Sequence, residues 1–284
     1  MNLVELQQYT ADEEKAEGYL RSQGILRTYD RCPFCEGTKM GRIRRAKIKC
    51  YSCRKEWGPR KGSILDGTRV PFTRILMALK LFELDTSVRE AAKQLDLAYN
   101  TVYDLFTLFR RAIAATDTDG FSLSGEIEMD ESYFGGRRKG KRGRGDAGKI
   151  PVFGILERGG KVRVEIIPDV GGETLLQMAI KKVKRGSLIY TDKFQSYNGL
   201  ITYGFRHQRI DHGVRFVNGK VYINGIVGFW SFAKERLMKY HGVDPEKFPL
   251  YLKELEFRYN HRNHDIYEDV VRCLSEYSLV ASIE

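Results

Sequence analysis

Apolar residues recur along this chain with two different periods, and the change between them separates a helical part from a later mixed part. From residue 72 to 115, apolar positions repeat every three or four residues, which predicts three amphipathic helices. Further on, Ile127 and Met129 alternate with Glu126 and Glu128, which predicts a strand with one buried face.

The later part continues as alternating strands and helices. Pro151 to Leu156 and Val162 to Ile167 are apolar runs joined by a Glu-Arg-Gly-Gly turn, which predicts a hairpin. Thr174 to Val183 has a helical period, Ser187 to Thr191 predicts a short strand, and residues 224–241 predict another amphipathic helix. Antiparallel strands followed by a helix and a further strand indicate a mixed α/β sheet with helices on its faces.

The helical part has the layout of a helix-turn-helix. Small residues, Ala91 and Ala92, precede a short turn, and Asn100 and Thr101 open the next helix. In a helix-turn-helix, the second helix presents its first residues to the major groove of DNA. Asn100 and Thr101 are therefore candidate DNA-binding residues. A plain packing unit of three helices is the alternative that this pattern leaves open.

The charge of the chain favours a polyanionic partner. Its 284 residues are 42% hydrophobic and 30% charged, as in globular proteins, and they carry a formal net charge of +11. No basic amphipathic helix stands out, so nucleic acid is favoured over a membrane surface. There is no apolar run of about 18 residues and no secretory signal at the acidic N-terminus, so we expect neither a transmembrane helix nor secretion.

Four of the five cysteines form two closely spaced pairs. Cys32 and Cys35 form one CxxC pair, and Cys50 and Cys53 form the other. Four thiolates at this spacing can surround one tetrahedral zinc ion, and a segment this short needs such a link in order to fold. A redox CxxC is the alternative, although redox chemistry needs only one pair. We predict a structural zinc site, and we expect Cys273 to be a core residue.

Basic residues surround these cysteines. From Lys39 to Lys61 there are ten Lys or Arg residues against a single acid, Glu56. Basic groups near a zinc ribbon suggest contacts with phosphates, and Arg44 and Arg45 are the candidates for them. A solvated basic face is the alternative.

An acidic strand end lies beside a basic loop. Asp130 falls near the end of the predicted strand 125–133, and Asp192 follows a later strand. If these strands are neighbours, the two carboxylates project at the same end of the sheet and can share Mg²⁺ ions. Solvated acids on an amphipathic edge strand are the alternative. The candidate DNA-binding residues of the basic loop are Arg137, Arg138, Lys139, Lys141, Arg142 and Arg144.

Four stretches together closely resemble the DDE insertion-sequence transposases that carry an N-terminal zinc ribbon. They are residues 128–137 (EMDESYFGGR), 190–192 (YTD), 224–234 (NGIVGFWSFAK) and 259–262 (YNHR). With the CxxC pairs, the resemblance extends over nearly the whole chain.

The resemblance implies a multidomain α+β protein with a zinc ribbon, a helix-turn-helix and an RNase H-like mixed α/β catalytic core. It implies that Asp130 and Asp192 are the first two catalytic acids and bind Mg²⁺ or Mn²⁺. The implied activity is binding of terminal inverted repeats in double-stranded DNA, followed by cleavage and strand transfer. Because two transposon ends must meet, a homodimer or larger assembly on DNA is expected. The expected location is the cytoplasm of a prokaryote, associated with the nucleoid.

The third catalytic position departs from the family pattern. The family commonly has Asn-Gly-Ile-Glu-x-Phe-Trp with a Lys seven residues after the Glu; here Lys234 is in place, but Val227 replaces the acid. Asn224 is the nearest candidate ligand, with helix N-cap as its alternative role. Glu235 is poorly placed on the helix, and Glu131 points to the opposite strand face from Asp130.

This departure leaves a second function open: a decayed or domesticated transposase that only binds DNA. A solvated helix Lys is the alternative role for Lys234, and Trp230 is expected to be a core residue. A zinc-ribbon transcription factor is a further alternative, against which the match at the two aspartates argues.

We predict five segments along the chain. They are a helical segment at 1–30, a zinc ribbon at 31–62, a helix-turn-helix region at 70–117, an RNase H-like core at 124–275 and a C-terminal tail at 276–284.

Overall fold

The structure, a computed structural model, describes six stretches of the chain: residues 1–116, 122–135, 149–192, 199–210, 222–240 and 242–280. The chain divides into two compact units, the first made of residues 1–116 and 263–284 and the second of residues 117–262.

The helices of the described residues, in chain order, are α1 (Leu3–Tyr9), α2 (Glu13–Ser22), α3 (Phe72–Glu83), α4 (Val88–Leu95), α5 (Tyr99–Thr116), α6 (Gly172–Lys182), α7 (Asn224–Met238), α8 (Phe248–Asn260) and α9 (Ile266–Val280). The strands are β1 (Met40–Arg42), β2 (Ile48–Cys50), β3 (Glu56–Trp57), β4 (Glu126–Phe134), β5 (Ile150–Glu157), β6 (Val162–Ile166), β7 (Leu188–Asp192) and β8 (Arg206–Ile210). No described helix is long and apolar enough to cross a membrane.

Helices α3, α4 and α5 are the three helices that the apolar period predicts. Ser87 precedes α4, and its side chain accepts a hydrogen bond from the N–H of Glu90. Asp96 ends α4 in the left-handed conformation, with φ of 50°, and α5 begins shortly afterwards. Phe82 of α3 packs edge-on against Phe106 and Phe109 of α5. The turn between α4 and α5 is therefore short, as predicted.

The last helix, α9, lies in the first unit, which corrects the predicted C-terminal boundary. We predicted that the sheet unit extends to residue 275 and that residues 276–284 form a tail. Instead α9 continues to Val280 and packs against α3 and α5. Its apolar face, which includes the buried Val270 and Cys273, packs against these helices. The predicted burial of Cys273 is confirmed.

The second unit contains a sheet whose described strands have the order β6-β5-β4-β7-β8. Strands β4, β5 and β6 are antiparallel neighbours, whereas β7 runs parallel to both β4 and β8. Helix α6 shares one core with Ile127 and Met129, and helices α7 and α8 form the core on the other face. This is the predicted mixed α/β sheet, and it is consistent with the RNase H-like core that the resemblance implies. Strand β8 and helix α8 were not predicted.

Side chains of α8 cover the outer edge of strand β6. Asn260 Oδ1 accepts a hydrogen bond from the N–H of Val162 at 2.7 Å, and Asn260 Nδ2 donates to the carbonyl of Val162 at 3.0 Å. Further along β6, Glu256 Oε2 accepts a hydrogen bond from the N–H of Val164 at 2.9 Å. These side chains satisfy backbone groups that would otherwise be open to pairing with another chain. Asn260, in the Tyr-Asn-His-Arg stretch, therefore has a structural role.

Replacing Asn260 with alanine should destabilise the sheet unit. The N–H of the buried Val162 would lose its acceptor, which should lower the free energy of unfolding by about 1–3 kcal/mol. The expected results are a lower urea midpoint and faster amide hydrogen exchange at Val162. The matched control is Asn263→Ala, at an exposed asparagine nearby in sequence. Equal exchange rates at Val162 in the two variants would contradict this role.

Candidate active site and metal centre

The register of β4 and β7 brings the two predicted aspartates to one place on the sheet. Glu126 pairs with Leu188, and Glu128 pairs with Tyr190, in a parallel ladder. The paired ladder ends at Glu128 and Tyr190. Continued two residues further, its register would set Asp130 beside Asp192, with neighbouring strands about 4.8 Å apart. Both side chains point to the same face, because alternate residues of a strand share a face. Both residues are partly exposed, so their carboxylates can be approached from solvent.

Helix α7 contacts the first of these aspartates directly. Trp230 Nε1 donates a hydrogen bond to Asp130 Oδ2 at 3.1 Å. The indole lies against Gly154, which is the β5 residue opposite Asp130. A Cβ atom at Gly154 would lie 2.5 Å from the indole, so the absence of a side chain there is what admits the ring. Trp230 is buried, as predicted for a core residue.

The other predicted residues of α7 lie on its exposed side. Val227 and Lys234 are three residues before and four residues after the buried Trp230, so they lie next to it on the helix surface, toward the exposed side. Val227 is 44% exposed. Lys234 is exposed, and its Nζ lies 5.7 Å from the centroid of the Phe134 ring. The position that holds the third acid in the family therefore lies one turn from the contact with Asp130, without a carboxylate.

Asn224 is exposed and is the first residue of α7, not its N-cap. The N-cap position is Ile223, and it provides no side-chain hydrogen bond. Instead the N–H of Ile226 donates to Glu128 Oε2, at 2.9 Å. Glu128 is 1% exposed, and a negative charge at a helix N-terminus is stabilising. The N-cap role that the sequence left open for Asn224 is therefore filled by a carboxylate from β4.

Arg158 joins this carboxylate to the rest of the sheet. Its Nε donates to Glu128 Oε1 at 2.9 Å, and its Nη1 donates to Glu126 Oε2 at 2.7 Å. Its guanidinium lies between the rings of Tyr190 and Tyr222, 3.7 and 4.0 Å from their centroids. Burial acts to lower the pKa of Arg158, but the two carboxylates raise it above its usual value.

The interaction of Glu128 with Arg158 was missed by sequence reasoning. The two residues lie 30 positions apart, and no local pattern links them. The signal that was available is the alternation along β4, which puts Glu128 on the same face as Asp130. Because both carboxylate oxygens of Glu128 accept hydrogen bonds within the protein, this acid is committed to holding α7.

The four paired cysteines come together in the first unit. The sulfur atoms of Cys32, Cys35, Cys50 and Cys53 all lie within 4.8 Å of one another. Two of the separations, Cys32 to Cys53 and Cys35 to Cys50, are 3.6 Å. A tetrahedral site with metal–sulfur bonds of about 2.3 Å has sulfur–sulfur distances of about 3.8 Å, so the cluster fits one such ion. Backbone N–H groups of Cys53 and Ser52 lower the pKa of Cys50. The backbone hydrogen bond from Gly37 acts to lower the pKa of Cys35, but hydrogen bonds with the neighbouring thiols outweigh it, so that the pKa of Cys35 is raised.

The structure describes only some of the predicted DNA-binding residues. Arg44 is exposed and lies in a short 3₁₀ helix, Arg44–Ala46, which also contains Arg45. Asn100 is exposed and Thr101 is half-buried on the first turn of α5. The residues of the basic loop lie outside the described residues; they are Arg137, Arg138, Lys139, Lys141, Arg142 and Arg144.

Comparisons with known proteins agree on one family. The family model of the ISXO2-like transposase domain matches residues 122–260. A Haemophilus influenzae protein described as an uncharacterized transposase-like protein is 42% identical over 120 residues, which cover 42% of this chain and 98% of that protein. The chain belongs to the ISXO2-like family of insertion-sequence DDE transposases.

Two further similarities are more distant. An uncharacterized protein in transposable element ISH50 of Halobacterium salinarum is 27% identical over 250 residues, covering 80% of this chain and 84% of the relative. A solved structure, the Mos1 strand transfer complex, is 13% identical and covers 74% of this chain and 77% of its own. The TM-score with that structure is 0.30.

Replacing Glu128 with alanine should destabilise the sheet unit far more than replacing Glu126. Both acids accept a hydrogen bond from Arg158, but the side chain of Glu128 is 1% exposed and that of Glu126 is 45% exposed. Breaking a buried ion pair costs about 3–5 kcal/mol, whereas an exposed pair contributes about 0–1 kcal/mol. Urea unfolding of the two variants measures this difference. Equal losses would show that Glu128 does not hold α7 in place.

Proposed function

We propose that this protein is the transposase of an insertion sequence. It binds the terminal inverted repeats and, with divalent metal ions, hydrolyses a phosphodiester bond at the transposon end to free a 3′-hydroxyl. That hydroxyl then attacks a phosphodiester of the target DNA, which joins the two strands and releases the 3′-hydroxyl of the cut target strand. The observation that supports this proposal is the parallel pairing of β4 with β7 in a chain of the transposase family, because its register, continued by two residues, would bring Asp130 next to Asp192.

The residues of the second unit have distinct roles in this reaction. Asp130 and Asp192 hold Mg²⁺ or Mn²⁺, which carboxylates bind well. Two such ions, when bound, activate the attacking hydroxyl or water and stabilise the leaving oxygen of a phosphodiester. Asn224, at the start of α7, is the candidate for a third ligand through its amide oxygen. Lys234, exposed on the same helix, contacts a phosphate or base of the transposon end.

The first unit recognises DNA in this proposal. The Cys32, Cys35, Cys50 and Cys53 cluster holds a structural Zn²⁺, supported by the fit of its sulfur positions to a tetrahedral ion. The helix-turn-helix presents its second helix, α5, to a major groove, while basic residues of the ribbon and of the predicted loop at 137–149 neutralise phosphates. Because both transposon ends must be joined, two or more copies of the chain assemble on DNA. The protein acts in the cytoplasm of a prokaryote.

A second candidate function is favoured by one observation. Val227 occupies the position of the third acid and is 44% exposed on α7, close to the contact between Trp230 and Asp130. An exposed valine there contributes no metal ligand. A protein that binds transposon ends but no longer cuts them would have this feature.

Cleavage of transposon-end DNA in the presence of Mn²⁺ separates these two functions. If the chain is an active transposase, the wild-type protein nicks the DNA, and Asp130→Ala and Asp192→Ala each abolish the nicking because a metal ligand is lost.

The Val227→Glu variant is the control that detects decay. Activity that appears only in Val227→Glu would establish that this copy binds without cutting. Cleavage by the wild-type protein that persists in Asp130→Ala would overturn the assignment of the site.

The purified protein should contain one zinc ion per chain. Cys50→Ser removes one of four thiolate ligands, so zinc content measured by mass spectrometry should fall well below one, and the ribbon should unfold. Cys273→Ser is the matched control, because Cys273 is buried in α9, outside the cluster. Equal zinc content in wild-type protein and Cys50→Ser would contradict the predicted site.

A further inference from the structure

Trp230 has a single polar atom, and that atom is directed at Asp130. The indole Nε1–H can only donate, and it donates to Asp130 Oδ2 at 3.1 Å. The ring is 4% exposed, so no large movement of the donor is open to it. The orientation of the Asp130 carboxylate is thus linked to helix α7, and not only to its own strand.

The position of the indole is fixed on several sides. Below it is Gly154, where any Cβ atom would come within 2.5 Å of the ring. The rings of Phe134 and Phe229 pack against it at 5.9 and 5.2 Å between centroids. At the start of α7, the hydrogen bond from Ile226 to Glu128 holds the helix to the same strand that carries Asp130.

We infer that Trp230 is a positioning residue for Asp130, and that the absence of a side chain at Gly154 leaves the space that the indole needs to reach Asp130. This inference rests on the proposed function, in which Asp130 holds a divalent metal ion. A donor fixed on one carboxylate oxygen restricts rotation of the group, so that less conformational freedom is lost when a metal ion binds. Mutating a partner of this kind behind a metal ligand typically costs about 10–100-fold in metal affinity or activity.

Two variants disrupt the hydrogen bond from Trp230 to Asp130, one by removing the donor and the other by displacing it. Trp230→Phe removes the N–H but keeps an aromatic ring in the core. Gly154→Ala keeps the N–H but displaces the indole from the sheet. The control for lost packing is Phe248→Leu, because Phe248 lies in the same core and contacts Phe134.

The test is calorimetric titration of the full-length protein with Mn²⁺, with Asp130→Ala defining the heat that belongs to the site. Trp230→Phe and Gly154→Ala should each weaken Mn²⁺ binding about 10-fold, whereas Phe248→Leu should leave it unchanged. In cleavage assays, the Mn²⁺ concentration for half-maximal rate should rise by the same factor, and the rate at saturating Mn²⁺ should stay near that of the wild type.

The outcomes separate this inference from the proposed function. If the wild-type protein binds Mn²⁺ through Asp130 and both variants bind it equally well, Trp230 is only a packing residue and the inference is overturned. Equal weakening in Phe248→Leu would overturn it as well, because lost packing would explain the effect. If Asp130→Ala removes no Mn²⁺ binding from the wild-type protein, the proposed metal site fails and the inference fails with it.

Discussion

A buried carboxylate needs partners that replace its water, and Glu128 obtains them from two separate elements. Its charge is paired with Arg158 at the end of β5, and its second oxygen receives the N–H of Ile226 in the first turn of α7. One side chain therefore ties a strand, a hairpin and a helix together. Together with the apolar core that contains Phe229 and Trp230, this attachment places α7 over the sheet.

Local pattern was sufficient for the parts of the site that lie within single elements. Alternation along β4 placed Asp130 in a strand, and a short apolar run ending at Asp192 placed the second acid at a strand end. The spacing of the cysteine pairs was enough to predict that four sulfur atoms meet. In each case, residues close in sequence carry the geometry, so periods of two or 3.6 residues and ligand spacings describe it well.

Contacts between distant residues could not be predicted in this way. The attachment of Glu128 to α7 spans 98 positions, and so does the pairing of Asn260 with Val162. An amphipathic helix such as α9 can cover a sheet or pack against other helices. Which of the two it does depends on which apolar surface is still exposed when the other elements have packed, and periodicity in a single sequence does not show that. The N-cap role was left open for Asn224 because capping was sought next to the helix, whereas the group that satisfies the helix comes from the sheet.

The placement of α9 has a consequence for the order in which the protein matures. Helix α9 packs on α3 and α5, yet it follows the whole of the sheet unit in sequence. During translation, α3 and α5 are synthesised early, and the core that they share with α9 stays incomplete while residues 117–262 are synthesised. The sheet unit, whose strands and helices are contiguous in sequence, can fold first. The helical unit completes its core only when α9 appears, after the whole of the sheet unit has been translated.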